Sequence, residues 1–167
     1  MNPIEPIIAE LQHEAATTRK LLERVPPESL AWRPHEKSMT LGRLAAHVAN
    51  LHALFCYIID LDGFDTNDMR AQSPPDDVDA ILAAFDANLA NALAALQTAP
   101  SLEKLMTSWR YTNGEQLLFA MPRLAVLRFV AMNHIIHHRG QLAVYLRLLD
   151  VPLPPIYGPT ADDETRS

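Results

Sequence analysis

The sequence is short of cysteine, of basic residues and of long apolar runs, and each shortage excludes a class of protein. Its one cysteine, Cys56, cannot form a disulfide within the chain. Fourteen Lys and Arg against 20 Asp and Glu give a formal net charge of −6, with no basic run beyond Arg19-Lys20. Because a phosphate-binding surface needs a basic excess, we expect neither nucleic acid nor an anionic membrane as a partner.

Nothing in the sequence is typical of a targeting segment or a membrane span. No window offers about 18 uninterrupted apolar residues, and the first residues, Met1 to Glu5, carry an early acid and no basic region. We therefore expect no signal peptide and a cytoplasmic protein. The 167 residues, 49% apolar and 20% charged, are enough for one domain with its own core. We predict a single domain over 1–167.

Thirteen prolines divide the chain into segments, because a proline inside a helix removes a hydrogen bond and clashes with the preceding turn. Four long segments between them show the apolar period of a helix, at about 6–25, 40–61, 76–97 and 122–149. Thr40 and Asp76 are suitable N-caps, and Pro122 suits a first helical turn. The pattern predicts an all-α fold, a four-helix bundle.

Two segments depart from the helical pattern. Between 101 and 121, Asn113-Gly114 separates two short runs and is typical of a type I′ turn, which predicts a two-stranded hairpin before the last helix. After Asp150, proline alternates with small or acidic residues. We expect an extended tail over about 150–167 that ends in disorder.

Three of the seven histidines lie within five positions, in the run from His134 to His138. His134 and His138 are one helical turn apart, in series with apolar residues, so both rings are expected on the inward face. His47 has the same kind of place on the second helix. Facing helices bring such positions together, so His47, His134 and His138 are predicted to bind one divalent ion. Three protein ligands leave a further coordination position open, as in catalytic sites.

Other interpretations of these residues stay open. A single inward histidine is more often a hydrogen-bonded core residue than a ligand. His137 can replace His138 by spacing, although a role in supporting the ligands or a solvent-facing role fits its neighbours better. His52 and Cys56 form another pair one turn apart and are an alternative site, although a lone cysteine is more often a small buried hydrophobic residue than a ligand. Gly140 lies inside a helical pattern, which indicates either close approach of another segment or a tolerated surface glycine.

The motifs around these histidines resemble those of the DinB-like family of damage-inducible proteins, over nearly the whole chain. The resemblance is carried by Asn133-His134-x-x-x-His138-Arg139-Gly140-Gln141, by the stretch from Trp32 to Gly42 that leads into His47, and by the segment from Pro152 to Pro159. It implies an up-down-down-up four-helix bundle, often dimeric, with a divalent metal on His47, His134 and His138. Similar proteins include thiol S-transferases that use bacillithiol or mycothiol, and a mycothiol-dependent isomerase.

Two classes of function follow. The first is a metal-dependent enzyme: Zn²⁺ or Ni²⁺ on three neutral histidines would lower the pKa of a bound thiol or water, so either a metal-bound thiolate or a metal-bound water would act in catalysis. A thiol S-transferase with a low-molecular-weight thiol, or a metal-dependent hydrolase, would act on a small molecule in this way. The second class is a non-catalytic metal-binding stress-response module. Trp32, His35 and Lys37 either line the mouth of the site or form a structural loop.

Overall fold

The computed structural model describes residues 3–68, 77–98 and 101–163. The fold is mostly helical and carries a small sheet of three strands. The helices are α1 (Glu5–Leu22), α2 (Leu41–Asn50), α3 (Ala53–Asp60), α4 (Val78–Gln97), α5 (Leu102–Leu105), α6 (Arg123–Ala125) and α7 (Asn133–Leu148), with a π-helical segment at Val126–Met132. The strands are β1 (Gly63–Asp65), β2 (Ser108–Asn113) and β3 (Gln116–Pro122).

The second predicted helix is two helices, which corrects the prediction of one helix over 40–61. Thr40 caps α2 as predicted, because its hydroxyl accepts a hydrogen bond from the backbone N–H of Arg43. At Leu51 and His52 the chain tightens into bonds between residues three apart, from Leu54 N–H to the Leu51 carbonyl and from Phe55 N–H to the His52 carbonyl. The chain then continues as α3.

The last predicted helix is helical throughout but changes its hydrogen-bond pattern. α6 passes into the π-helical segment, whose bonds join residues five apart, and then into α7. The wider turns shift the residues that face the core. The buried residues of α7 are Ile135, Arg139, Leu142 and Leu146. The predicted inward positions His134 and His138 are therefore each one residue from the buried Ile135 and Arg139, although Leu142 of the same series is buried as predicted, and both rings lie at the margin of the core.

The predicted hairpin is present, with a different turn and an additional strand. Asn113 pairs with Gln116, so the turn residues are Gly114 and Glu115 rather than Asn113 and Gly114. Gly114 has φ 58° and Glu115 has no positive φ, the pattern of a type II′ turn instead of type I′. β1 pairs in parallel with β2 and makes the sheet order β1-β2-β3, which the sequence did not predict.

Helix α4 packs against α1, α2 and α3, and α7 packs against α2. Asp77 caps α4 by accepting from the N–H of Ala80, whereas the predicted cap Asp76 lies outside the described residues. Of the helices in the described ranges, α4 alone is long and apolar enough to cross a membrane. Its Phe85 is buried in the core and its Asp86 pairs with Arg19 of α1, so it packs as a helix of the folded domain.

The tail after α7 has no regular secondary structure at 151–155. Val151 and Leu153 pack against the core, and Pro154 is buried. Tyr157 hydrogen-bonds to Arg139 of α7 and to Glu14 of α1. The tail is therefore held on the helices as far as Asp162, which pairs with Arg147 of α7, while its predicted disordered end lies outside the described residues.

Candidate metal centre

The structure brings His47 of α2 together with His134 and His138 of α7. One nitrogen from each ring lies within 4.8 Å of the others. The ring centroids are 5.3 Å apart for His47 and His134, 4.5 Å for His47 and His138, and 4.8 Å for His134 and His138. Among the residues that the structure describes, no other group of three or more His, Cys, Asp or Glu meets this condition. We call these three residues the histidine cluster.

The histidine cluster lies at the edge of the contact between two helices. The i, i+4 spacing of His134 and His138 stacks their rings on one side of α7, and the packing of α7 on α2 brings His47 to them. All three side chains are half-buried. A position at the margin of the core removes most water from the rings and still leaves one side open to a small molecule.

The rings are poor bases in this setting. Burial, with smaller effects from the neighbouring His138 and Arg43, lowers the pKa of His47 to about 4. Burial, with smaller effects from His138, His47 and His137, likewise lowers the pKa of His134 to about 4. The pKa of His138 is lowered by burial, against an opposing hydrogen bond with Gln141. At neutral pH each ring is therefore neutral and has a nitrogen lone pair to donate.

This donor set fits a divalent ion. In a tetrahedral site with metal–nitrogen bonds of about 2.0–2.1 Å, the donor atoms lie about 3.3 Å apart. The separations in the histidine cluster, at most 4.8 Å, come within reach of that value through modest rotations of the side chains. The cluster includes no carboxylate, so all the ligands would be neutral. Three neutral imidazoles suit zinc and nickel among the ions that proteins bind.

The sequence assigned no role to two residues beside the cluster. Gln141 Oε1 lies 2.7 Å from His138 Nδ1. Arg43, one turn before His47 on α2, adds a positive charge that lowers the pKa of His47. Their spacing, i+3 from His138 and i−4 from His47, is the signal that would have indicated both.

The remaining candidates lie elsewhere. His137 is exposed, as predicted, with its ring 4.7 Å from that of His138. His52 is fully buried against Phe85, and burial lowers its pKa to about 4. The pKa of Cys56 is raised, chiefly by burial, so its thiol is protonated at neutral pH. The alternative site on His52 and Cys56 therefore lacks a reactive thiolate.

The contacts of Trp32, His35 and Lys37, in the loop before α2, are those of a structural loop. His35 is exposed and its Nδ1 accepts a hydrogen bond of 3.1 Å from the backbone N–H of Lys37, which closes a local turn. Trp32 packs edge-on against Tyr145 of α7, with ring centroids 5.7 Å apart. The loop thus covers the end of α7 through its aromatic residue.

Gly140 has no neighbour that requires a glycine. A Cβ built on it would meet nothing within 4 Å. Within this chain, close approach of another segment is therefore the wrong interpretation, and a tolerated surface glycine is the right one.

An open apolar groove of about 300 Å³, lined by residues that include Met106, Leu124 and Phe129, contains none of the three histidines.

Comparison with known proteins gives a consistent result over the length of the chain. The sequence profile of the DinB family matches residues 1–166. YrdA of Bacillus subtilis strain 168 is 29% identical over 156 residues, which cover 91% of this chain and 86% of YrdA. YjoA of the same organism is 25% identical over 154 residues, which cover 90% of this chain and 94% of YjoA.

Solved structures show the same fold. A DinB-like protein from Bacillus cereus ATCC 10987 superimposes with a TM-score of 0.71 at 23% identity, over 92% of this chain and 97% of that one. The crystal structure of YjoA gives a TM-score of 0.70 at 20% identity, over 93% and 99%. Since the family profile spans nearly every residue, the chain belongs to the DinB family.

Proposed function

We propose that this protein is a divalent-metal-dependent enzyme that acts on a small molecule, with the ion held by His47, His134 and His138. The observation that carries the proposal is the convergence of three ring nitrogens, from two helices, within 4.8 Å of one another. The lowered pKa values support it, because protonated rings could not bind an ion. We further propose that the helices form the up-down-down-up bundle implied by the resemblance.

The number of ligands favours catalysis over a structural role. Structural zinc sites are usually closed by four protein ligands, whereas catalytic sites use three and keep a position open. The half-buried rings leave room for a small molecule at that position. When bound, an ion on three neutral ligands keeps its double positive charge and lowers the pKa of a coordinated thiol or water.

Within this class we propose a thiol S-transferase that uses a low-molecular-weight thiol in the cytoplasm. The chain does not supply the nucleophile itself, because the pKa of the Cys56 thiol is raised and the thiol is not in the cluster. Arg43 adds positive charge beside His47, which favours an anionic group on the substrate. The cluster also lacks a carboxylate to act as a general base, which weakens the case for a hydrolase.

Two measurements test the proposal. Elemental analysis of protein purified without a metal-affinity tag is expected to find one divalent ion per chain in the wild type, consistent with one cluster. His47→Ala and His134→Ala are expected to lose the ion, while the exposed controls His13→Ala and His137→Ala keep it. Unchanged metal content in either cluster variant would show that the metal site is wrongly assigned.

Activity separates the classes of function. A set of low-molecular-weight thiols is tested with monochlorobimane as the electrophile. Transfer that depends on the metal and on His47 supports the transferase. Hydrolysis of ester substrates without thiol transfer would replace it with the hydrolase. A metal-loaded protein with neither activity would identify the alternative, a non-catalytic metal-binding module.

We also propose that the chain forms a homodimer. The resemblance supports this, and α7 exposes Val144 and Leu148, each more than half accessible and one turn apart. A second copy packed on this face would cover both side chains. Sedimentation equilibrium is expected to give a dimer for the wild type and a monomer for Leu148→Glu, and a monomeric wild type would contradict the proposal.

A further inference from the structure

The hydrogen bond between Gln141 and His138 bears on which ring nitrogen of His138 carries the hydrogen. Gln141 lies three residues after His138 on α7, so the two side chains meet across one turn. The amide oxygen Oε1 lies 2.7 Å from the ring nitrogen Nδ1, which is the length of a strong hydrogen bond. A neutral imidazole carries one N–H, and the position of that hydrogen decides which nitrogen can bind an ion.

We propose that Gln141 is a positioning residue that holds His138 in its Nδ1–H form and turns Nε2 toward the centre of the histidine cluster. This inference rests on the metal site of the proposed function. The amide oxygen can only accept, so Nδ1 must donate to it, and Nε2 is left with its lone pair free. Ligating histidines usually have such an acceptor on the second nitrogen, which fixes the tautomer and the orientation of the ring.

The other two rings have no comparable partner. In the described part of the chain, His47 and His134 contact neighbouring rings, but no hydrogen bond from their own nitrogens to another side chain is present. His138 contacts both of them and, in the described part of the chain, is the one ring of the three that is hydrogen-bonded to a side chain outside the cluster. Gln141 therefore fixes one of the three mutually contacting rings, and His47 and His134 have no such support from a side chain in the described part of the chain.

The same bond distinguishes His138 from its neighbour His137. Both residues fit the spacing to His134, and their ring centroids are 4.7 Å apart. His137 is exposed and lies outside the cluster, and Gln141 bonds to His138 instead. The arrangement selects His138 as the ligand from α7 that accompanies His134.

The chemical type of the partner also matters. A carboxylate at this place would add a negative charge behind the ring and make it a stronger donor to the ion. Gln141 supplies orientation without that charge, so a bound ion would keep its full attraction for an anionic ligand. Replacement by Glu keeps the acceptor and adds the charge, whereas replacement by Ala removes the acceptor.

The first test uses metal-free protein, so it does not depend on the proposed function. The ¹⁵N chemical shifts of His138 are expected to show the Nδ1–H form in the wild type. Gln141→Ala is expected to shift the ring toward the Nε2–H form that a free histidine side chain prefers. Gln12→Ala, an exposed glutamine of α1, is the matched control and should leave His138 unchanged. An unchanged tautomer in Gln141→Ala would overturn the proposal.

The second test is a titration with Co²⁺, followed by visible absorption. Gln141→Ala is expected to bind about 10–100-fold more weakly than the wild type, the usual effect of removing such a partner. Gln141→Glu is expected to bind at least as tightly as the wild type. If both variants weaken binding equally while circular dichroism shows an intact fold, Gln141 has no positioning role.

The two tests separate the two proposals. A tautomer that depends on Gln141 in a protein that binds no Co²⁺ would support the positioning role and reject the metal site. Tight Co²⁺ binding that does not change in Gln141→Ala would support the metal site and reject the positioning role.

Discussion

Two adjacent residues of α7 lie in opposite kinds of surroundings. His138 is half-buried at the margin of the core and belongs to a cluster of neutral rings. Arg139 is 1% exposed and pairs with the buried carboxylate of Glu14. Its guanidinium also donates to the hydroxyl of Thr18 and, at 2.6 Å, to that of Tyr157, which in turn donates to Glu14. One helix thus carries an edge, formed by the histidine cluster, and an ionic network in which Arg139, Glu14 and Thr18 are buried while Tyr157 is exposed. We call this second group the sealed network after its buried ion pair.

The two regions differ in whether their polar groups have partners within the chain, and this difference separates residues that stabilise the fold from residues that can bind a ligand. In the sealed network every charged group has a partner, and the partners come from α1, α7 and the tail, so the network joins parts of the chain that are distant in sequence. At the edge, within the described ranges, only the ring of His138 has a hydrogen bond to another side chain, and the rings carry no charge at neutral pH. Groups without internal partners are available to an external ligand, whereas satisfied groups are not.

The largest effect is expected from breaking the sealed network. Arg139→Met leaves the carboxylate of Glu14 buried without its counter-ion, which typically costs about 3–5 kcal/mol of the free energy of unfolding. Urea denaturation measures this loss. The folded fraction should still bind a divalent ion, because the histidine cluster does not include Arg139.

A double variant checks the cause of that loss. Arg139→Met with Glu14→Leu removes both charges and should recover much of the stability, since replacing both partners of a buried pair by apolar groups is often neutral. If the double variant is as unstable as Arg139→Met alone, the loss comes from packing of the arginine and not from the unpaired carboxylate.

The second largest effect is expected at His52, which is buried like Arg139 but lacks hydrogen-bond partners for its ring in the described part of the structure. Neither ring nitrogen has a hydrogen-bond partner in the described part of the structure. Burial lowers its pKa to about 4 from 6.5, and the nearby backbone of Ala49 and Val48 opposes the shift without forming a full hydrogen bond. At pH values between these two, the unfolded chain binds a proton that the folded chain does not.

The free energy of unfolding should therefore fall as the pH is lowered from about 6.5 to about 4. The contribution of His52 is fully present above pH 6.5 and amounts to about 3 kcal/mol over that window. Denaturation of His52→Leu across the same range should show a correspondingly smaller fall, while His13→Leu, at an exposed position, should match the wild type. Equal pH dependence in wild type and His52→Leu would contradict the role of burial.

The metal site at the histidine cluster is tested by the stability that a bound ion adds to the folded chain. An ion that binds only the folded chain raises the free energy of unfolding by about 2.7 kcal/mol when its concentration is 100 times Kd. The wild type and Arg139→Met should both gain this increment with added Zn²⁺ and lose it with a chelator. His134→Ala should gain almost none. An equal gain in His134→Ala would place the ion outside the histidine cluster.

The features that the sequence predicted are those set by local spacing. The pairing of His134 with His138 follows from one helical turn, and the Thr40 cap and the Gly114 hairpin follow from residue type. The convergence with His47 depended on helix packing, but an apolar period already placed that residue near the contact. Local rules therefore gave the His134–His138 pair and most of the helices, and the packing of α2 on α7 completed the histidine cluster.

The features that were missed depend on distant contacts. The tightened turn at Leu51 and His52 and the π-helical segment are choices of hydrogen-bond pattern that the apolar period does not encode. β1 pairs with a strand far along the chain, where the carbonyl of Arg110 lies so close that a Cβ on Gly63 would approach it to 2.5 Å. The partners of Arg139 come from α1 and the tail, so no local pattern could indicate them.

The smallest effect is expected at Gly140, which lies on α7 beyond both regions. The glycine is helical and exposed, and a Cβ there meets nothing within 4 Å. Gly140→Ala should therefore raise the free energy of unfolding by about 1 kcal/mol, because alanine loses less backbone entropy in a helix. Metal affinity should not change, since neither the cluster nor the ionic network is touched. A loss of stability that appears only at concentrations where the chain self-associates would show that a second copy packs closely on this face of α7, and would extend the comparison from two regions of the helix to three.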